Sequence, residues 1–186
     1  MHFTVRPAQI SDAPGLARVR VETWRTSYRG LIPDETIDGM DIEKETLRWV
    51  ERLGAPLPDS FAFAAEVRPE TGAGTTEMTP FVAGLCVCGR DRDADPQYSG
   101  EVYAIYVLPA CQRKGLGHAL VQTAVHWLRQ GGHAGMLIWV LRDNLPARRF
   151  YESLGGKAVR QRSIVIGGAE LPEVGYGYDL SRWPTS

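Results

Sequence analysis

The chain has 186 residues, 44% of them hydrophobic, which is enough to fill one core. Lysine plus arginine number 21 and aspartate plus glutamate 22, a formal net charge of -1, so no global basic field points to nucleic acid or an anionic membrane as the main partner. No apolar run approaches bilayer length and Met1 to Arg6 lacks a signal-peptide pattern, so a cytoplasmic protein is expected.

Phe3 to Arg6 reads as a first strand ending at Pro7. Ser11 and Asp12 open a helix, with Pro14 tolerated in its first turn. Leu16, Val19, Thr23 and Trp24 then recur at helical spacing. Gly30 and Pro33 interrupt, and a second helix spans roughly 33–53 with a break near Gly39. Pro56, Pro58 and Asp59 mark a loop before a strand at Phe61 to Val67. Residues 70–80, rich in Gly and Thr, read as a long hairpin connection to a strand at Phe81 to Gly89. Asp91, Asp93 and Asp95 stand at alternate positions, but the Gly and closing Glu of a calcium loop are absent, so a solvated turn is expected.

Gly100 to Leu108 is the next strand. In the helix that follows, about 115–130, Leu116, Leu120, Ala124 and Leu128 repeat every fourth residue, and Gly131-Gly132 ends it. Met136 to Leu141 is an unbroken apolar run, which fits a strand covered on both faces. A short helix from Pro146 to Leu154 stops at Gly155-Gly156. Two last strands, near 158–166 and 173–180, flank Gly167-Gly168 as a hairpin turn. With no repeat and no linker, this order predicts a single domain over 1–186. Its class is α/β (α+β), with a mixed, mostly antiparallel central sheet and helices on both faces.

Cys86 and Cys88, two apart on one strand face, read as small buried thiols, and Cys111 as partly exposed. The four histidines have no metal-ligand spacing, so no metal is expected, and no nucleophile motif is present.

The segment Gln112-Arg-Lys-Gly-Leu-Gly117 joins a strand to a helix. Such a junction cradles an anion: backbone N–H groups converge and the helix N-terminus adds unpaired donors. It is not a Walker loop, because no Gly-Lys-Ser or Gly-Lys-Thr occurs. It is not a dinucleotide fingerprint, because Leu120 stands where Gly or Ala is required. Gln-x-x-Gly-x-Gly after a strand resembles the acyl-CoA signature of the GCN5-related N-acetyltransferase (GNAT) family. Asn144 to Gly155 looks like a second family segment, Asn-x-x-Ala-x-x-Phe-Tyr followed by Gly, with Gly156 where an aromatic residue usually comes next. The element order is also that of the family fold, so the resemblance covers nearly the whole chain.

The resemblance implies acetyl-CoA as acetyl donor and a small-molecule or peptide amine as acceptor. It implies contacts to the cofactor from Ile105, Tyr106 and Val107 on the strand. Gln112, Arg113, Lys114, Gly115, Leu116, Gly117 and His118 would contribute from the loop, and Asn144, Ala147, Arg148 and Tyr151 from the short helix. In the family an oxyanion donor comes from a strand N–H, here near Tyr106 or Val107, and Tyr151 is the proton donor to the departing thiolate. Glu101 stands where the histone-acetylating branch has its catalytic glutamate and is the candidate base. An ordered water is the alternative, with Glu101 as a plain strand-end carboxylate. Arg113, Lys114 and Arg148 are the candidates to pair with CoA phosphates.

Trp24-Arg-Thr-Ser-Tyr-Arg-Gly30 resembles a Trp-x-x-x-Tyr-x-Gly segment of bacterial members. Trp24 and Tyr28 are candidate acceptor contacts, and Trp49 stands in the same region, with core packing the alternative for the tryptophans. The apolar terminal hairpin is a candidate homodimer contact. The rival readings are an acyl-CoA-binding sensor without turnover and an acetyltransferase of protein N-termini or lysines.

Overall fold

The structure, a computed structural model, describes residues 2–55, 59–68 and 79–184. Most of the expected hairpin connection at 70–80 and the prolines of the 56–59 loop lie outside the described residues.

Seven strands form one sheet in the order β1-β2-β3-β4-β5-β7-β6. They are β1 (His2–Pro7), β2 (Ser60–Arg68), β3 (Phe81–Arg90), β4 (Gly100–Val107), β5 (Gly135–Leu141), β6 (Lys157–Ile166) and β7 (Ala169–Asp179). The helices are α1 (Ala13–Ser27), α2 (Asp34–Asp38), α3 (Ile42–Gly54), α4 (Leu116–Gln130) and α5 (Leu145–Ser153). The break expected near Gly39 separates α2 from α3, and Asp41 caps α3 by accepting from Lys44 N–H at 2.9 Å. The last strand starts at Ala169, four residues earlier than its apolar pattern predicts, because the Gly167-Gly168 turn pairs Ile166 directly with Ala169.

All strand pairs are antiparallel except β4 with β5. That pair is held only through Gly100–Met136, Glu101–Leu137 and Val102–Ile138. Beyond Val102 the two strands part, and the sheet is split at its centre. The parting coincides with a bulge: Cys88 faces Val102 and Val87 faces Ala104, so Tyr103 is an extra residue in β4. An extra residue bends its strand and raises the local twist, which turns β4 away from β5.

A second bulge orders the layers. Glu66 faces Val82 and Ala65 faces Gly84, leaving Ala83 as the extra residue in β3. Val82 therefore meets Gly15 of α1, while Gly84 meets Leu120 of α4, on the opposite face. The core lies in both layers. Ala13, Leu16, Ala17 and Val19 of α1 are buried on one side, and Leu116, Leu120, Ala124 and Leu128 of α4 on the other. A smaller cluster joins Ile32, Ile37 and Leu141 to Trp24, Tyr28, Ile164 and Leu171. It seats the β6–β7 tip on α2, with Gly167 against Thr36.

Cys86 and Cys88 are buried free thiols; burial pushes the Cys88 thiol up to about 12. Cys111 is buried too, not partly exposed, because its short 3-10 turn packs into the main core. The three aspartates are tied within the protein. Asp91 accepts from the N–H groups of Asp93 and Asp95, Asp93 pairs with Arg162 and Asp95 with Arg160. Among the described residues, no group of three or more His, Cys, Asp or Glu is placed to hold a metal ion, and no helix is long and apolar enough to cross a membrane.

Candidate active site

The split between β4 and β5 opens a cavity of about 640 Å³ that passes from one face of the sheet to the other. Its β4 wall is Ile105, Tyr106 and Val107, and its β5 wall is Trp139 and Val140. At one end stand Gln112, Arg113, Gly115, Gly117 and His118 with Asn144, Ala147 and Tyr151 of the α5 segment. Tyr28, Arg29 and Leu31 line it beyond α1, while Thr23 lies beside Gln112, both donating to Val107 C=O, at 3.3 and 3.1 Å.

The first end has features that suit an anion. Gly115 is the N-cap of α4 in a left-handed conformation, φ +89°, with no side-chain cap and no acidic residue in the first turn. The first intrahelical bond runs from Ala119 N–H to Gly115 C=O, which leaves the N–H groups of the opening turn without helical partners. Arg113 is also left-handed, φ +61°, an uncommon conformation for a side-chain-bearing residue, and it faces the cavity without a salt bridge among the described residues. These features fit a pyrophosphate. Gln112 anchors the loop by donating from Nε2 to Val107 C=O at 3.1 Å. A Cβ at Gly117 would lie 3.2 Å from Phe150 Cζ, where α4 meets α5.

Asn144, Ala147 and Tyr151 all face the cavity, as their helical spacing predicts. Asn144 caps α5, its Oδ1 accepting from Ala147 N–H at 3.2 Å. Tyr151 is 7% exposed. Burial pushes its hydroxyl well above the usual phenol range, and Tyr106 and Cys86 add to the rise. Tyr178 fixes the helix here by donating to Tyr151 C=O at 2.9 Å.

The backbone of β4 also points into the split. Leu108 N–H donates to Ala83 C=O at 2.8 Å, toward β3. Direction alternates along a strand, so Tyr106 N–H also faces β3, while Ile105 and Val107 N–H face the gap left by β5. Of the two residues named above for an oxyanion donor, Val107 has its N–H on the cavity side.

Several expected residues stand elsewhere. Glu101 is 0% exposed, does not line the cavity, and is gripped by Arg92. It accepts from Arg92 Nε at 3.1 and 3.0 Å and from Arg92 N–H at 3.1 Å. The carboxylate pins the 91–99 turn to the start of β4. Arg148 donates to the Tyr176 hydroxyl at 3.1 Å and to Arg142 C=O at 3.0 Å, away from the anion cradle. Lys114 donates to Ala110 C=O at 2.9 Å, and Leu116 is buried in the core, its contribution to the cradle being backbone alone. Trp24 does not line the cavity; it stacks behind Tyr28 with ring centroids 5.0 Å apart and carries Arg20 over its ring. Trp49 is a core residue.

Trp139 and Arg29 line the cavity and have no motif that announces them. The sequence signal for Trp139 is its place in the apolar 136–141 run, which fits a strand covered on both faces.

The sequence profile of the Acetyltransferase (GNAT) family matches residues 27–156. The chain is 32% identical over 183 residues to YuaI of Bacillus subtilis (strain 168), described as an uncharacterized N-acetyltransferase, covering 98% of this chain and 96% of YuaI. It is 32% identical over 179 residues to a mycothiol acetyltransferase of Thermomonospora curvata, covering 83% of this chain and 58% of that protein. Among solved structures it is similar to the PaiA N-acetyltransferase of Thermoplasma acidophilum in complex with coenzyme A, with TM-score 0.69, 20% identity, and 96% and 99% of the two chains covered. It is also similar to yncA, a putative acetyltransferase of Salmonella typhimurium with acetyl-CoA, with TM-score 0.64, 19% identity, and 100% and 98% covered. The fold agrees with these structures, and the profile and curated relatives agree with the motifs at 112–117 and 144–151: the chain belongs to the GNAT acetyltransferase family and is an N-acetyltransferase.

Proposed function

We propose that the chain acetylates a primary amine of a small molecule by direct attack on acetyl-CoA. One observation carries this reading: a single channel through the β4–β5 split joins the anion cradle to an aromatic far end. The relatives named as mycothiol acetyltransferases support it. The β6–β7 tip resting on α2 roofs the far end, which favours a small amine over an extended peptide.

Acetyl-CoA, when bound, supplies the thioester carbonyl. The N–H groups of the α4 opening turn and Arg113 hold its pyrophosphate, and Asn144 and Ala147 border its pantetheine arm. Val107 N–H donates to the carbonyl oxygen as negative charge builds there. The amine enters past Tyr28, loses one proton to solvent, and forms the N–C bond as the C–S bond breaks. Tyr151 gives the thiolate its proton and regains one, through solvent, from the new amide nitrogen, which sheds its second proton as the amide forms. Glu101 takes no part in the proton transfers, since its carboxylate is enclosed with Arg92.

The experiment is a panel of amines, incubated with acetyl-CoA and the purified protein and read by CoA release and product mass. Amine-dependent CoA release with matching acetylated product is the expected result. Acetyl-CoA binding without release on any amine would favour the sensor reading.

A further inference from the structure

Val107 has no strand partner on its β5 side, and side chains replace that partner for only one of its two backbone groups. In a ladder a residue uses both groups: its N–H donates and its C=O accepts. Pairing of β4 with β5 ends at Val102, so both groups of Val107 face the split. The C=O is closed by side chains. Thr23 Oγ1 donates to it at 3.3 Å and Gln112 Nε2 at 3.1 Å. One donor comes from α1 and the other from the loop before α4. A carbonyl oxygen has two lone pairs, and two donors occupy both. Across the same peptide, Leu108 N–H is held by Ala83 C=O at 2.8 Å. The Val107 N–H receives no acceptor from the sheet and stays open to the cavity.

This one-sided closure matters for a growing negative charge. In an extended residue N–H and C=O point to the same side. A ligand oxygen that accepts from Val107 N–H therefore lies beside the Val107 carbonyl oxygen. An open carbonyl there would repel charge building on the thioester oxygen and would offer lone pairs to water or to the incoming ammonium. With both lone pairs bonded, its partial charge is offset by two hydrogens. Thr23 is 5% exposed, so this offset acts where water screens it little. Thr23 also continues the buried face of α1 that Leu16 and Val19 begin, where an apolar side chain would serve packing alone.

We propose that Thr23 and Gln112 are positioning residues for acetyl transfer. By saturating the Val107 carbonyl they leave the Val107 N–H as a donor with no competing acceptor beside it. This rests on reading Val107 N–H as the donor to the thioester oxygen.

The test compares Thr23→Val, which keeps the shape and deletes the donor, with Thr23→Ser, which keeps the donor. Steady-state kcat and KM are measured on an amine that the wild type acetylates. The carbonyl stretch of bound acetyl-CoA, isotope-labelled at the acetyl carbonyl, is read by difference infrared spectroscopy with no acceptor present. That stretch falls in frequency as donors polarise the carbonyl. Thr23→Val is expected to lower kcat about tenfold, short of the hundredfold or more that loss of an oxyanion donor itself costs. KM for acetyl-CoA is expected to hold, the stretch to move back toward its frequency in free acetyl-CoA, and Thr23→Ser to restore both kcat and stretch. Gln112→Leu is expected to move the stretch in the same sense, and it decides the matter if Thr23→Val does not fold. An unmoved stretch or an unchanged kcat in folded Thr23→Val overturns the proposal and leaves acetyl transfer in place. A kcat loss that Thr23→Ser does not restore marks packing alone and overturns it too. A wild-type stretch equal to that of free acetyl-CoA removes the Val107 reading itself, and the proposal with it. If no amine is acetylated, the infrared comparison still decides.

Discussion

Replacing Glu101 by Gln separates a structural role from a chemical one. The carboxylate is fully buried and takes hydrogen bonds from Arg92 Nε, Arg92 Nη2 and Arg92 N–H. Arg92 also lies 4.8 Å over the Tyr103 ring, at the bulge where β4 turns away from β5. The Arg92 side chain is 54% exposed, so it can turn to water when its partner changes; residue 101 cannot. Gln keeps one acceptor oxygen but sets an amide NH2 against the Arg92 donors. Loss of one or two charge-assisted hydrogen bonds, partly offset by rehydration of Arg92, gives a cost of about 2 kcal/mol. At about 2–4 °C per kcal/mol for a chain of this size, Tm falls by about 4–8 °C. Arg92→Ala is expected to be worse, about 3–5 kcal/mol, because it strands a buried carboxylate with a single backbone donor. Thermal and urea melts measure both variants, and kcat/KM is taken at 25 °C where both stay folded. For Glu101→Gln it is expected to stay within about threefold of wild type. A rate loss of about a hundredfold with unchanged Tm would refute this reasoning and make Glu101 the base.

Gly117→Asp places a Cβ against Phe150 and a carboxylate in the anion cradle; acetyl-CoA affinity by calorimetry is expected to fall about a hundredfold, and unchanged affinity in the folded variant would remove the cradle assignment. Tyr151→Phe is expected to lower kcat about ten- to a thousandfold with little change in acetyl-CoA affinity. Because burial raises the Tyr151 pKa, the hydroxyl keeps its proton as pH rises, and the wild-type rate is expected to show no alkaline decline from it below about pH 10. A decline near pH 8 that the Phe variant lacks would contradict the assigned role.

Local pattern made the donor half of the site readable. Gln112, Gly115 and Gly117 are fixed by a strand-to-helix turn, and Asn144, Ala147 and Tyr151 by helical period, so sequence neighbours are neighbours in space. The far half was not readable, because Tyr28 at the end of α1 and Trp139 of β5 reach one cavity only through packing across a long sequence separation. Long charged side chains were the other source of difference. Arg148 and Lys114 sit at positions that suit a phosphate contact, but nearer acceptors, Tyr176, Arg142 C=O and Ala110 C=O, hold them. Glu101 is suggested by its strand position, whereas its partner Arg92 lies in a turn whose composition indicates only solvation. Bulges at Ala83 and Tyr103 leave no mark in the apolar pattern, yet they decide which layer each side chain of β3 meets and where the sheet divides.

Amide exchange in a sheet of seven strands is ordinarily slowest in the middle strands. Here the middle contains two amides with no strand beside them, Ile105 and Val107, past the last β4–β5 pair at Val102–Ile138. Their neighbours Tyr106 and Leu108 face β3 and are expected to be protected. A single strand thus carries fast and slow amides in alternation, one residue apart. A donor molecule lying in the gap slows the fast pair and leaves the slow pair unchanged. Hydrogen exchange at these two positions therefore reports whether the channel is filled, with no acceptor present and no turnover taking place.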